Sequence, residues 1–241
     1  MEQIGALHKI AGICSLCGLE ASEEQQRQFY TFYRMLVEKN KVMNLTAITE
    51  FDEVLEKHFL DSLSVVRCVD LHETPRVMDL GTGAGFPGIP LKIMFPDTEF
   101  VLADSLNKRI KFLNEVIDEC RFEKICTVHA RAEDLGHDST HREQYDLVVS
   151  RAVARLSVLA EYCLPLVKKG GCFVAYKSGN CQDEVRESEK AVRLLGGKPE
   201  QAESFYLPGT ETGRTLLKIR KIGLTPSRFP RKAGLPAKEP L

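Results

Sequence analysis

From Asp79 to Gly88 the chain reads Asp-Leu-Gly-Thr-Gly-Ala-Gly-Phe-Pro-Gly, and this run limits the fold more than any other part of the sequence. It leaves a short apolar stretch, Arg76 to Leu80, that reads as a strand, and Pro87 and Gly88 open a helix after it. Alternate glycines let a backbone turn tightly and come close to a ligand. A strand, a glycine turn and a helix in that order are the start of a parallel βαβ unit. The rhythm then repeats. Strands are expected at Glu99 to Asp104, Ile125 to His129, Tyr145 to Ser150 and Gly171 to Tyr176, with helices at Lys108 to Cys120 and Leu156 to Leu166. Right-handed crossovers of this kind place the strand ends along one edge of a doubly wound α/β sheet. The final β-like runs, Glu203 to Leu207 and Arg214 to Ile222, are separated only by Pro208 to Gly213. That loop is too short for a helical crossover, so an antiparallel hairpin should close the sheet.

Residues 1–68 read differently. Phe29, Phe32, Tyr33, Leu36 and Val37 recur at helical spacing, and Ser22 with Gln25 forms a capping-box pattern before them. A second helix is expected from Phe51 to Cys68, with Val54, Leu55, Phe59, Leu63 and Val66 on its apolar face. Asn40 to Thr46 is a polar connector. The organisation expected is therefore a helical extension over 1–68, an α/β domain over 69–222, and a basic, extended tail over 223–241. From Gly213 onward, eight basic residues face one acid, a net of +7 in a chain whose total is −1. Such a basic segment on an acidic body suits either contact with a polyanion or a solvated tail. No run approaches the roughly 20 apolar residues of a membrane helix, and residues 1–18 do not read as a secretory signal. The eight cysteines then read as free thiols of a reducing cytosol. Cys14 and Cys17 have CxxC spacing but no second pair for zinc and no preceding strand, and read as two incidental helix cysteines. No metal site is expected.

The glycine loop also carries the ligand argument. Gly83, Gly85 and Gly88 satisfy the dinucleotide spacing GxGxxG, so that reading has to be weighed. Gly81 begins the motif earlier, as GxGxG. Asp79, at the strand end, offers a carboxylate to a cation, and the turn lacks basic residues for a pyrophosphate. S-adenosylmethionine, with an ammonium, a sulfonium and no phosphate, is the better match. A parallel core finished by a hairpin is the layout of class I S-adenosylmethionine-dependent methyltransferases, and this is the fold expected. Asp79, Gly81 and Gly83 would hold the cofactor. Asp104, 21 residues after Gly83 at the next strand end, would take its ribose hydroxyls. The backbone at Ala132 and Glu133 would read its adenine edge. Taken singly, Asp104 reads as well as a helix cap, and Glu133 as a solvated or capping acid.

The substrate should be met after the fourth strand, at Ser150-Arg151-Ala152-Val153-Ala154. The Asn/Asp-Pro-Pro-aromatic pattern of enzymes acting on exocyclic amines is absent. Cys163 and Cys172 lack the Pro-Cys or Thr-Cys setting of a cytosine-C5 nucleophile. Chemistry with no nucleophile and no strong base remains. Guanine N7 fits, because its lone pair attacks directly and no proton leaves in that step. Such an enzyme works by proximity and alignment. Arg151 cannot act as a base, so it would hold guanine O6, a phosphate or the cofactor. A small-molecule methyltransferase and a non-catalytic cofactor sensor or RNA-binding module are the rival classes. The first would want an apolar lid and no basic tail; the intact loop argues against the second.

Asn44-Leu45-Thr46-Ala47-Ile48, Lys57-His58-Phe59-Leu60-Asp61-Ser62-Leu63, the loop with its continuation Phe86-Pro87-Gly88-Ile89-Pro90-Leu91, and Ser150 to Ala154 together resemble the ribosomal RNA small subunit methyltransferase G family. Thr225 to Lys232 also looks like its Gram-positive members. Ala84 stands where many members have Pro. The resemblance implies N7 methylation of one guanosine in the decoding-region loop of 16S ribosomal RNA, on the RNA or the 30S subunit, by a cytoplasmic bacterial enzyme expected to be a monomer. It implies cofactor contacts at Gly81, Phe86, Ala132, Glu133 and Arg151, and an RNA-facing catalytic set of Asn44, His58, Arg151 and Lys177. For three of these a plainer reading stands beside it: His58 as a half-buried helix histidine, Asn44 as a turn cap, Lys177 as a solvated lysine.

Overall fold

The computed structural model describes residues 2–151, 154–179 and 181–241. Helix α1 (Glu2–Leu16) is followed by α2 (Glu23–Met43), whose capping box forms as expected: Gln25 N–H donates to Ser22 Oγ at 3.2 Å, and Ser22 N–H donates to Gln25 Oε1 at 2.8 Å. The second expected helix is broken. It runs as α3 (Phe51–Val54), a π-helical turn (Leu55–Leu60), α4 (Asp61–Leu63) and a 3₁₀ turn (Ser64–Arg67). A π turn inserts one residue into the helical repeat, and this one carries Lys57 and His58.

The sheet follows: β1 (Arg76–Leu80), α5 (Gly88–Met94), β2 (Glu99–Asp104), α6 (Asn107–Glu119), β3 (Ile125–His129), α7 (Ala132–Leu135), β4 (Tyr145–Ser150), α8 (Leu156–Cys163), β5 (Val167–Lys177), α9 (Gln182–Leu194), β6 (Gly197–Pro199), β7 (Glu203–Tyr206), β8 (Gly213–Lys221) and α10 (Leu235–Lys238). Among the described residues the sheet has eight strands, in the order β3-β2-β1-β4-β5-β8-β6, with β7 also on β8. The first five are parallel; β8 is antiparallel to β5, β6 and β7. The fold is thus the class I layout, with its hairpin at β7–β8. Strand β6 has no counterpart in the sequence reading, because Gly197-Lys198-Pro199 shows no alternation. Strand β5 starts earlier than expected, since Lys168 to Gly171 stay in the strand, beside a register shift opposite Tyr145 and Leu147.

Alternation along the strands divides the interior in two. Val77, Phe100, Leu102, Leu147, Val149 and Val174 face one core, shared with Phe29, Phe32 and Phe59 of the helical segment. Met78, Val101, Ala103, Val148, Phe173 and Ala175 face the other, shared with α8 and with Phe229. Both faces of a parallel sheet are covered in this way.

The last residues depart from the sequence reading. The segment after Leu224 lacks periodicity yet is docked, with Phe229 3% exposed and α10 near its end. Nor are most of the basic charges from Gly213 onward free. Of the eight basic residues from Gly213 onward, Arg214, Lys218, Arg220, Lys221 and Arg231 are ion-paired, to Asp61, Glu200, Glu200, Glu143 and Glu161. Among the described residues, Arg228, Lys232 and Lys238 remain exposed with no acidic partner. A count of charges along a chain cannot distinguish paired from free ones.

Candidate cofactor and substrate site

Strands β1 and β4 are neighbours from which the chain winds in opposite directions, and the crevice at their carboxyl ends is a topological switch point. Two cavities meet there. The smaller, about 400 Å³, is lined by Gly81, Asp104, Ala132, Glu133, Ser150 and Tyr162, among others, and its volume suits a small molecule. The larger, about 1050 Å³, is lined by Ile48, His58, Asp61, Arg151, Lys177 and Arg214, among others. Ala154 lines both.

Gly81, Gly83 and Gly85 have φ of +74°, +62° and +101°, which a side chain rarely adopts. Their neighbours divide the work of the loop. A Cβ on Gly88 would meet Leu102 and lie 2.8 Å from Asp79 Oδ2; one on Gly85 would lie 2.7 Å from Ile89. Gly88 serves close helix-to-strand packing, and Gly85 lets the helix side chains Ile89, Leu113 and Phe32 close on the loop. A Cβ on Gly83 would meet only the Gly81 carbonyl, at 4.0 Å, so the loop is open on that side.

Asp79 is fully buried. Its Oδ2 accepts from Thr82 Oγ1 at 2.6 Å and Gly88 N–H at 2.8 Å, which ties the loop to β1. Its Oδ1 is the one buried side-chain polar atom among the described residues with no partner. Burial raises its pKa to about 6, with the Thr82 and Gly88 bonds pulling the other way. Asp104 is braced too: its carboxylate accepts from Gly83 N–H at 3.0 Å, Leu106 N–H at 2.8 Å and Arg109 at 3.2 Å.

On the other side of the crevice, Arg151 turns from the end of β4 toward the helical segment. It donates to Asp61 Oδ2 at 2.9 Å, to the Lys57 carbonyl at 3.1 Å and to His58 Nδ1 at 3.2 Å. Its guanidinium lies 5.1 Å from the Phe86 ring centre, and His58 stacks on Phe86 at 4.5 Å. Phe32 and Phe59 hold Phe86 from behind. His58 Nδ1 lies between the Arg151 donor and the Lys57 carbonyl, the latter at 3.1 Å, and Nε2 meets Thr46 Oγ1 at 2.8 Å. Burial, then Arg151, lowers the His58 pKa to about 4, so the ring is neutral. Asp61 is 2% exposed and accepts from Arg214 as well, at 2.8 Å. Lys177 donates to the Ala154 carbonyl at 2.5 Å and Glu184 at 2.7 Å. Its solvated reading does not hold, since its side chain is 12% exposed. Asn44 is an exposed left-handed cap on α2 that lines neither cavity. Ala152 and Val153 of the motif after β4 lie outside the described residues.

A model of the rRNA small subunit methyltransferase G family matches residues 25–211. A ribosomal RNA small subunit methyltransferase G from Lachnoclostridium phytofermentans is 51% identical over 232 residues, 96% of each chain. The chain belongs to this family. An Alkaliphilus metalliredigens relative of the same name is 49% identical over 228 residues, 95% of each chain. Among solved structures, the S-adenosylmethionine-dependent methyltransferase SibL matches the fold with TM-score 0.52 and 16% identity, over 68% of this chain and 55% of its own. This family member is an S-adenosylmethionine-dependent methyltransferase.

The residues of the smaller cavity fit that cofactor. Gly81 brings the glycine turn to its wall, Asp104 and Glu133 stand at the ends of the next two strand–turn units, and behind the wall Asp79 keeps one buried acceptor, Oδ1, without a partner. Of the residues expected from the sequence, Gly81, Asp104, Ala132 and Glu133 line the smaller cavity, while His58, Arg151 and Lys177 line the larger. Asp79, Gly83 and Phe86 stand behind the walls. The sequence reading missed Thr46, Asp61, Tyr162, Arg214 and Gly234. Asp61 had a local signal, one helical turn after His58. The others come from distant parts of the chain.

Proposed function

We propose that this methyltransferase transfers the methyl group of S-adenosylmethionine to N7 of one guanosine in the decoding-region loop of 16S ribosomal RNA. In this reading the smaller cavity takes the cofactor, the larger takes the flipped or looped guanosine, and the enzyme acts as a cytoplasmic monomer on 16S RNA or the 30S subunit. The observation that carries the choice of N7 is the absence of a poised base or nucleophile among the described residues where the cavities meet. His58 is neutral and bonded at both nitrogens. Lys177 is bound to Ala154 and Glu184. Burial raises the pKa of Cys181, the cysteine that lines the larger cavity, and holds the Cys163 thiol well above its ordinary value.

When bound, the cofactor supplies an electrophilic methyl on its sulfonium. The chain's own residues supply position. The glycine loop and Asp79 fix one end of the smaller cavity, and Ala132 with Glu133 the other. Phe86, stacked by His58 and under the Arg151 guanidinium, backs the wall from behind. Asp61 holds the Arg151 and Arg214 guanidinium groups side by side, where one can meet a phosphate or guanine O6. N7 needs no proton removed, so alignment suffices. No transmembrane-length apolar helix exists among the described residues.

Mass mapping of 16S RNA nucleosides from cells with and without the gene tests this. Loss of one N7-methylguanosine, restored by the purified enzyme on 30S subunits or 16S RNA, is the expected result. A methyl found on N1, N2, a ribose or another base overturns the assignment.

A further inference from the structure

The family model ends at residue 211, yet Gly234 lines the smaller cavity and Pro240 and Leu241 line the larger. We propose that the C-terminal segment, residues 225–241, is the closing wall of the cofactor cavity and holds Glu133 in place, so that cofactor affinity requires the segment to be docked. The inference rests on the reading that the smaller cavity takes S-adenosylmethionine.

Four groups of contacts carry it. Gly234 has φ +80°, and this left-handed turn directs its N–H onto Glu133 Oε1 at 2.8 Å. Glu133 is 8% exposed and also bonded to Tyr162, another lining residue. Its carboxylate is thus oriented from outside its own loop. Three residues earlier, Arg231 makes a two-pronged pair with Glu161 at 2.6 and 2.9 Å, and its backbone N–H donates to the same carboxylate at 2.8 Å. Glu161 is 1% exposed, on α8 next to Tyr162, which lines the cavity. A two-pronged pair at a buried carboxylate sets direction as well as attraction.

The start of the segment is fastened to the body by carbonyls. Arg142 donates to Thr225 and Phe229 at 2.7 and 2.8 Å, and His137 Nε2 to Pro230 at 2.6 Å. Finally, Pro230 packs so closely on Gly136 that a Cβ there would lie 2.5 Å from its ring. Arg142, His137 and Gly136 all follow α7, the turn that carries Ala132 and Glu133. The segment therefore braces both ends of that turn. Glu133, Glu161, Gly234 and Arg231 act as positioning residues in this account.

Coupling between ligand and segment must be reciprocal. If binding needs the docked segment, ligand must suppress its undocking. Trypsin can cut the native chain after Lys232, which is exposed, when the segment releases. S-adenosylhomocysteine at about 100 times its Kd should slow that cut by up to ~100-fold. Cleavage after Lys41, at the exposed end of α2, should not change. Calorimetry on the same sample establishes that ligand is bound. Unslowed cleavage after Lys232 with ligand bound overturns the inference and leaves the cofactor reading standing; no binding at all removes the cofactor reading first. The paired variant Glu161→Gln with Arg231→Met avoids stranding a buried charge. It should raise the ligand Kd at least tenfold, and raise KM for S-adenosylmethionine while kcat at saturation is kept. Wild-type Kd in a folded paired variant also overturns the inference; if that variant does not fold, proteolysis of the native chain decides.

Discussion

The buried carboxylate of Asp79 should release a proton when the cofactor binds. Its folded pKa is about 6 against an ordinary 3.8, chiefly through burial. Two pKa units correspond to about 3 kcal/mol. The folded chain holds this proton more tightly than the unfolded chain, so the contribution to stability is complete below about pH 4 and is lost as pH rises through 6. At neutral pH the ionised group therefore strains the fold by about 3 kcal/mol, with Oδ1 unpartnered. A ligand ammonium held at the wall in front of that oxygen favours the ionised form. At pH 6 the free protein is about half protonated, so binding should release about half a proton; at pH 8 it should release none. Titration calorimetry of S-adenosylhomocysteine in two buffers of different ionisation heat measures this as a difference in apparent enthalpy. Asp79→Asn should abolish the buffer dependence and weaken binding by roughly ten- to a hundredfold, the loss of one hydrogen bond to a charged group. Its stability at pH 8 should change little or rise, because the relief of burying a charge offsets the unsatisfied amide. Equal enthalpies in both buffers at pH 6, or wild-type affinity in Asp79→Asn, would refute the reasoning.

Three further outcomes are expected. Gly88→Ala forces Asp79 and Leu102 to move, and should destabilise the protein by about 1–3 kcal/mol in urea unfolding; an unchanged midpoint contradicts the packing role. Arg151→Ala should slow single-turnover methylation of 30S subunits by ~10²-fold, with Arg151→Lys a poor rescue because a point charge cannot serve Asp61, Lys57 and His58 together; a wild-type rate and wild-type cofactor affinity in Arg151→Ala would remove it from the site. Replacing Arg228, Lys232 and Lys238 by Gln should flatten the salt dependence of RNA binding, by as much as three released ions; an identical slope means that these exposed cations do not touch RNA.

What was legible in the sequence is what short-range pattern encodes. Short apolar runs bounded by turns placed β1 to β4, and Ser22 with Gln25 placed the start of α2, because each depends on neighbours within a few positions. The glycine loop was legible for the same reason, and with it Asp79 and Gly81. The π turn was not, since one inserted residue leaves the apolar spacing from Phe51 to Cys68 almost intact. Arg231 was read as a free cation because its partner, Glu161, lies 70 residues away. Gly234 was invisible as a cavity residue for a similar reason: its bond to Glu133 spans 101 positions. Arg151 was placed at the right strand end, but its direction, toward Asp61 and His58, is a tertiary fact.

The position of β8 has a consequence for synthesis. Among the described residues it is the last strand in chain order, yet it lies inside the sheet, with β5 on one side and β6 and β7 on the other. Until Gly213 to Lys221 are made, a nascent chain exposes the edge of β5 with Phe173, Val174 and Ala175, and β6 and β7 have nothing to pair with. An open apolar edge of that kind invites pairing with other chains. A premature stop anywhere before Lys221 should therefore yield an aggregating product rather than a smaller working enzyme, and the sheet cannot be completed until β8 has been made.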